Sequence, residues 1–351
     1  MSDWDWSEDD LGRLAAFLAD RGLTSGAVST RRIGDGHSNL TYLVSDGAGR
    51  SVVVRRPPPP PTPPGAHDML REARWIDALA GTSVPVAPLL ATAEAGEVID
   101  VHFYVMGFAR GPVVTTRTPT PLDTPGVRRD LGHALVDTLA DLHAVDWRGR
   151  GLADMGRPEG FNERHLHRMG RLVADGAGDP PAHFAPIVSW LSARVPAESG
   201  AAIVHNDYRV GNVVLSESAP GTIAAVLDWE LTTIGDPLFD LGYFLSSVPE
   251  PDTAMTPTEE LGTAMLEPGW PTRKELADRY AERTGADLAD LTWYTTLALW
   301  KLAVLYEYGR RRAVRGVGDP YYADQALVQS FLDAAHHTAG LDPAPRPSEH
   351  P

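Results

Sequence analysis

Residues 203–215 constrain this chain more than any other stretch: Ile203-Val204-His205-Asn206-Asp207-Tyr208-Arg209-Val210-Gly211-Asn212-Val213-Val214-Leu215. An apolar run enters, a polar loop follows and a second apolar run leaves, which predicts strand, loop, strand. Further on, Val226-Leu227-Asp228-Trp229-Glu230 sets another carboxylate at the end of another apolar run. Asp207, Asn212 and Asp228 are thus three oxygen-bearing side chains delivered by strand ends. Phosphoryl transfer from ATP needs such a set. One carboxylate orients the attacking hydroxyl and accepts its proton, while an amide oxygen and a second carboxylate hold magnesium on the phosphates. Taken singly, each residue is an ordinary turn or capping group. A metal-dependent hydrolase using His205, Asp207 and Asp228 is an alternative, but it leaves Asn212 without a role.

At 351 residues the chain exceeds one typical domain, so two lobes are expected. The formal net charge of −16 argues against a nucleic-acid or anionic-membrane partner. No cysteine is present, which excludes disulfides, thiolate chemistry and cysteine-based zinc sites. The acidic first ten residues do not resemble a secretory signal. The most apolar helical candidate, Leu291 to Tyr308, carries Lys301 and Glu307 and is too short to span a bilayer. A soluble, cytoplasmic protein is expected.

The spacing Asp207…Asn212…Asp228 matches the catalytic loop and metal-binding aspartate of kinases. His205-Asn206-Asp207, followed by Asp228-Trp229-Glu230 and Gly235-Asp236-Pro237-Leu238-Phe239-Asp240-Leu241, resembles the aminoglycoside phosphotransferase family of kinase-like small-molecule kinases. The resemblance runs from about Val28 to Asp342. One departure adjoins the catalytic residue: the family's usual loop has Gly where Asn206 stands. The resemblance implies an α+β, two-lobed protein-kinase-like fold, with a small five-stranded antiparallel sheet lobe and a larger, mainly helical lobe. The expected division is a nucleotide-binding lobe at 1–107, with its N-terminal helix, and a catalytic and substrate-binding lobe at 108–343; the terminal 344–351 is expected to be disordered. ATP and Mg2+ are the implied cofactors.

Along the first lobe, Ser7 to Asp20 has apolar residues at helical spacing, with Ser7 as N-cap. Val28–Ile33, Leu40–Val44, Ser51–Val54, Val84–Ala91 and Val98–Phe108 read as five strands. Between the first two, Gly34 and Gly36 would let backbone approach phosphates, with Ser38 and Asn39 offering N–H groups; the same residues also suit a plain hairpin turn. The third strand ends in Arg55-Arg56, where kinases place a lysine. The chain's two lysines, Lys274 and Lys301, lie far downstream, so Arg55 takes the phosphate-gripping role in this reading; the alternative is that both arginines only solubilise an edge strand. Glu72, on a helix from Ala66 to Ala80, is the expected partner of Arg55, with a solvated position beside Arg71 and Arg74 as the alternative. Pro57 to Pro64 reads as an extended spacer, with an SH3-type ligand as the alternative. The resemblance puts the adenine hinge at Met106 and Phe108; an ordinary edge strand reads the same.

Arg55-Arg56-Pro57-Pro58, Ala66-His67-Asp68-Met69, Arg71-Glu72 and Gly156-Arg157-Pro158-Glu159-Gly160 look like the family branch associated with acyl-CoA dehydrogenases, in which arginine at the strand position is usual. That branch implies a functional link to an acyl-CoA dehydrogenase and a hydroxyacyl-CoA or hydroxy-acid acceptor. An aminoglycoside, choline or homoserine-like acceptor is the alternative, and a nucleotide-binding pseudokinase the rival of another class.

In the second lobe, Asp130–Val145, Phe161–Val173, His183–Val195, Thr258–Met265, Arg273–Thr284, Leu291–Arg311 and Tyr322–Ala339 read as helices. His143 is expected at a helix end, bonded to backbone or interacting with the dipole. Arg164 and Arg168 lie in a basic run, Arg164-His165-Leu166-His167-Arg168, which is a solvated face or a site for an anionic part of the substrate. Asp236 before Pro237 has the form of a helix N-cap. The resemblance gives Asp240 a supporting role, bonding catalytic-loop backbone, and leaves His205 as structural support.

Overall fold

The computed structural model describes residues 6–34, 39–58, 67–120, 122–176 and 178–346. The chain divides into two compact units: Met1–Gly111 with Ala224–Thr232, and Pro112–Ile223 with Thr233–Pro351. The first carries a five-stranded antiparallel sheet and the second is rich in helices, which is the two-lobed α+β arrangement expected. The segment bearing Asp228 belongs with the first unit, and the division falls at Gly111 rather than Gly107.

Within the first unit, α1 (Glu8–Asp20) starts at Ser7, whose side chain accepts from the Asp10 N–H. Strands β1 (Val28–Arg32), β2 (Leu40–Asp46) and β3 (Ser51–Arg56) follow, then α2 (Met69–Leu79), β4 (Leu89–Ala93) and β5 (Phe103–Gly107). The sheet order is β1-β2-β3-β5-β4. Alternation sorts its two faces. Tyr42, Val44, Val52 and Val54 join Leu14, Phe17 and Leu18 of α1 in one apolar core. Arg56 ends on that side, its guanidinium 4.9 Å from the Trp6 ring and 5.4 Å from Tyr42. Arg55 therefore points to the other face, toward α2, whose Glu72, Trp75, Ile76 and Leu79 are buried.

The fourth strand begins later than its apolar run suggests. Pro85 and Val86 are taken by another partner: the Val226 N–H donates to Pro85 O at 2.8 Å and Val86 bridges Val226 in parallel. The fifth is shorter because Glu97 to Ile99 turns, closed by Gly96 N–H to Ile99 O at 2.8 Å. Helix α2 starts at Met69 rather than Ala66, because Asp68 is its N-cap and accepts from the Arg71 N–H.

The second unit contains α3 (Pro125–His143), α4 (Phe161–Val173), α5 (Ala185–Ser192), β6 (Ala202–Val204) and β7 (Val213–Leu215). Ile223–Val226 forms β8, which leads to Asp228. Then come β9 (Thr233–Gly235), α6 (Pro237–Ser246), α7 (Pro257–Glu260), α8 (Arg273–Thr284), α9 (Leu291–Val314) and α10 (Gln325–Thr338). Thr258–Met265 is therefore not one helix; Gly262 separates α7 from a short 3-10 turn at Thr263–Leu266. Helices α6 and α9 lie so close that a Cβ on Gly242 would meet Tyr294 backbone carbon at 2.7 Å. That approach brings the middle of α9 beneath the loop that follows β6. The expected disordered tail does not start at Ala344, which is buried, and Arg346 pairs with Asp333 at 3.1 Å; residues 347–351 of that expectation lie outside the described residues. Among the described residues no helix is long and apolar enough to cross a membrane.

Candidate active site

The loop after β6 is built from its backbone upward. Asp240, fully buried near the start of α6, accepts from the His205 N–H at 2.5 Å and the Asn206 N–H at 2.7 Å. His205 is buried, and its Nδ1 accepts from the Asp207 N–H at 3.3 Å. Its ring thus faces its own loop, which disfavours the hydrolase alternative. Asn206 has φ of 66°, a left-handed conformation that glycine adopts freely and asparagine tolerates best among the others. This explains why a loop whose usual residue is glycine accepts asparagine here. Lys301 of α9 donates from Nζ to Asn206 O at 2.8 Å.

Asp207 presents a carboxylate held at both oxygens. The Tyr243 hydroxyl donates to Oδ1 at 2.6 Å, and Asn212 Nδ2 donates to Oδ2 at 2.7 Å and to the Asp207 carbonyl at 2.8 Å. Arg209 Nε lies 3.6 Å from Oδ1. Burial, then the Asp207 charge, pushes the Tyr243 phenol well above its ordinary pKa, so it remains a donor. Because Asn212 spends its amide nitrogen on Asp207, its amide oxygen is the end able to ligate a hard cation.

In the first unit, Arg55 is the hub. Its Nε lies 3.2 Å from Glu72 Oε1, one terminal nitrogen pairs with Asp228, and the same nitrogen lies 3.7 Å from Glu230 Oε2. Burial alone would lower the guanidinium pKa, but Glu72, Tyr104, Asp228 and Glu230 outweigh it and raise it. Burial raises the Glu72 carboxyl, and Arg55 opposes that rise. Asp228 has φ of 67° and leads a short 3-10 turn, Trp229–Leu231, which aims its side chain at Arg55. Asn39 donates to Glu230 at 2.7 Å and meets His67 Nδ1 at 2.8 Å. One guanidinium therefore faces three carboxyl groups. A nucleotide's phosphates would be repelled there unless a cation came with them, and carboxylate oxygens are the donors Mg2+ prefers. The donor set fits that ion, although among the described residues no three His, Asp or Glu side chains cluster as a ready metal site.

The other expected residues sit as follows. Gly34 is exposed with φ of 76°, while Gly36 and Ser38 lie outside the described residues. Met106 pairs with Val53 and Leu89 in the sheet, and Phe108 is exposed beyond it. Arg164 donates to the Arg157 carbonyl, and Arg168 is exposed on α4. The basic run is weaker than its sequence suggests. His165 is buried against Phe161 and Phe239, and burial, then Lys301 and Arg168, holds its pKa well below the usual imidazole range. Asp236 caps α6 through Leu238 N–H at 3.0 Å and is further bonded by Ser199, Asn162 and Tyr294. His143 bonds Tyr280 at 2.6 Å and approaches Asp240 at 3.5 Å rather than closing on backbone. Sequence reasoning missed Tyr243, Lys301, Arg209, Tyr104 and Glu230. Arg209 and Glu230 stood within the motifs and Tyr104 within the expected hinge strand, but none has a residue type that its motif singles out.

A kinase-like small-molecule phosphotransferase is the class that this sheet unit, loop and helical unit define. The sequence signature of the phosphotransferase enzyme family (APH) matches residues 29–292, and the chain belongs to that family. Its curated relatives include acyl-CoA dehydrogenase family member 11 of Mus musculus, 30% identical over 93% of this chain and 41% of the relative. The Gallus gallus protein of that name is 33% identical over 62% of this chain and 28% of its own length. The chain thus spans well under half the length of these relatives. A candidate aminoglycoside phosphotransferase from Ralstonia eutropha has a similar structure, with a TM-score of 0.73, 27% identity and coverage of 93% of this chain and 95% of that one. A choline kinase from Cryptosporidium parvum shares the fold, with a TM-score of 0.61 at 10% identity over 94% and 95% of the two chains.

Proposed function

We propose that this protein transfers the γ-phosphoryl group of ATP, with Mg2+, to a hydroxyl of a small molecule, and that the acceptor is a hydroxyacyl-CoA or a related hydroxy acid. The observation that carries the chemistry is the Asp207 carboxylate, pinned by Tyr243 on one oxygen and Asn212 on the other. Asp207 takes the acceptor hydroxyl's proton as the oxygen–phosphorus bond forms and ADP leaves. Arg55, backed by Glu72, holds phosphates, while Asp228 and the Asn212 amide oxygen hold the metal, which supplies charge neutralisation for the transferring group. Gly34, Gly36, Ser38 and Asn39 line the phosphates in this reading, and Met106 and Phe108 the adenine.

Two observations support an anionic acceptor. The relatives, of which this chain matches only part, are named as acyl-CoA dehydrogenase family members, which makes a CoA ester the first acceptor to test. Arg209 stands beside Asp207, where an incoming acceptor would meet a guanidinium that a polycationic aminoglycoside would avoid. Arg164 and Arg168 are the further candidates for the anionic end. A coupled ADP-release assay with matched hydroxyacyl-CoA, aminoglycoside and choline panels, the products weighed by mass spectrometry, tests the reading. Phosphorylated CoA ester is the expected product. Preference for aminoglycosides or choline overturns the acceptor, and ATP binding without turnover on any panel favours the pseudokinase.

A further inference from the structure

Lys301 is the one buried ammonium in the described helical unit, and the mechanism above gives it no role. The residue is 4% exposed in the middle of α9, with Nζ 5.2 Å from the Phe239 ring centre and 4.8 Å from that of Tyr243. Its hydrogen-bond acceptor is the Asn206 carbonyl, at 2.8 Å. The Asn206 N–H is meanwhile taken by Asp240. Both polar groups of a left-handed residue immediately before Asp207 are thus held from outside the loop. Asparagine adopts that conformation at a small cost that glycine does not bear, and restraint on both polar groups offsets that cost.

We propose that Lys301 is a positioning residue: its ammonium clamps the left-handed turn at Asn206 and so sets the direction in which Asp207 presents its carboxylate. The catalytic consequence rests on the phosphoryl-transfer reading; the clamp itself does not. The groups that face the ammonium are Asp207 from the loop, Asp240 and Tyr243 from α6, and His165 and Arg168 from α4. Burial pulls the Lys301 pKa down from 10.5 to about 8, with Arg168 adding to the fall and Asp207 and Asp240 resisting it. His165 stays neutral and does not compete. As pH rises through about 8 the ammonium loses its proton. A neutral amine is a weaker donor to the carbonyl and no longer attracts either carboxylate, so the clamp loosens.

The test uses the full chain as wild type, Lys301→Met, Lys301→Arg and Lys301→Met combined with Asn206→Gly. Hydrogen exchange of peptides covering Ile203 to Asn212 is read first, without ligand. ADP release from MgATP, with and without 3-hydroxybutyryl-CoA, is then followed from pH 6 to 10. Lys301→Met is expected to speed exchange in that loop and lower kcat roughly 10-fold or more, the worth of one charge-assisted hydrogen bond, with KM for ATP little changed. Wild-type turnover falls above about pH 8, and Lys301→Arg, whose cation does not titrate there, lacks that limb. Asn206→Gly recovers part of the loss, because glycine holds the left-handed turn unaided. Unchanged exchange and kcat in Lys301→Met, or a loss that Asn206→Gly leaves in place, overturns the clamp. If Lys301→Met does not fold, the alkaline limb in Lys301→Arg decides: its persistence overturns the proposal. Absence of ADP release from the wild type sinks the kinase reading alone, and the exchange data still judge the clamp.

Discussion

Replacing Tyr243 by Phe removes one hydroxyl from a position where nothing else changes shape. That hydroxyl donates to Asp207 Oδ1 at 2.6 Å from a buried ring, so the bond is short and its acceptor charged. Hydrogen bonds to charged groups contribute about 1.5–3 kcal/mol. The Asp207 side chain is 20% exposed and Arg209 lies 3.6 Å from the same oxygen, so water and the guanidinium recover part of that. A net cost of about 1–2 kcal/mol remains, which corresponds to a kcat lower by roughly 5- to 30-fold if the bond orients the base in the transition state. The KM for ATP should move little, since Tyr243 is placed to act on the base and not on the nucleotide. Steady-state kinetics in the coupled ADP-release assay, with circular dichroism to confirm folding, make the measurement. A kcat within twofold of wild type would refute the idea that Tyr243 holds the base. So would a fall confined to the KM for ATP.

Asp207→Asn should retain folding and nucleotide binding while turnover falls by roughly 10²–10⁴, the usual worth of a positioned base; near-normal turnover refutes the assignment. Asp228→Ala should abolish most of the magnesium dependence of ATP binding in calorimetry, and undiminished Mg-ATP affinity would remove Asp228 from the metal site. Arg55→Ala should weaken ATP binding, whereas Arg56→Ala, which unstacks Trp6 and Tyr42 on the opposite face, should lower the melting temperature and leave ATP affinity nearly unchanged. The reverse pattern would mean that the other arginine grips the phosphates.

Local signals in the sequence survive where local physics decides. Helix α8 runs from Arg273 to Thr284 as its periodicity predicts, opened by a capping box between Thr272 and Glu275 and ended by Gly285 in the left-handed conformation. Helix α6 starts at Asp236-Pro237 because an N-cap followed by proline is a local device. Elements that depend on distant partners were not legible. The start of β4 is decided by Val226, far along the chain, which takes the pairing that Val86 would otherwise offer. The site divides the same way. Asp207, Asn212 and Asp228 stand out because strand ends and spacing mark them, and the structure bonds Asn212 to Asp207 and pairs Asp228 with Arg55. Tyr243 and Lys301 lie on helices whose sequences look like ordinary core, and Lys301 reads as an interruption of an apolar run until α9 is laid against the loop. His165 errs in the opposite direction, since charge in a sequence run does not reveal that the side chain is stacked inside and neutral.

Charge is distributed differently around the two sets of functional residues, and the difference bears on what each receives. In the first unit, a single arginine engages Glu72, Asp228 and Glu230, something a planar guanidinium does with Nε and a terminal nitrogen and a lysine's point charge cannot. Carboxylates are in surplus there, so a polyanionic nucleotide is welcome only with its metal. Around Asp207 the charges are closer to balance: Arg209 lies beside it and Lys301 beneath its loop, while Asp240 faces Lys301 and the exposed Arg168 acts on Lys301 as well. In the phosphoryl-transfer reading, a chain with a formal net charge of −16 thus sets Arg209 and Lys301 near the carboxylate that the acceptor's hydroxyl would approach. Neutralising Asp207 alone needs one cation, and Asp207 already has two donors from uncharged Tyr243 and Asn212. Asp240 answers part of the remaining positive charge, and the negative charge of the acceptor we propose would answer the rest.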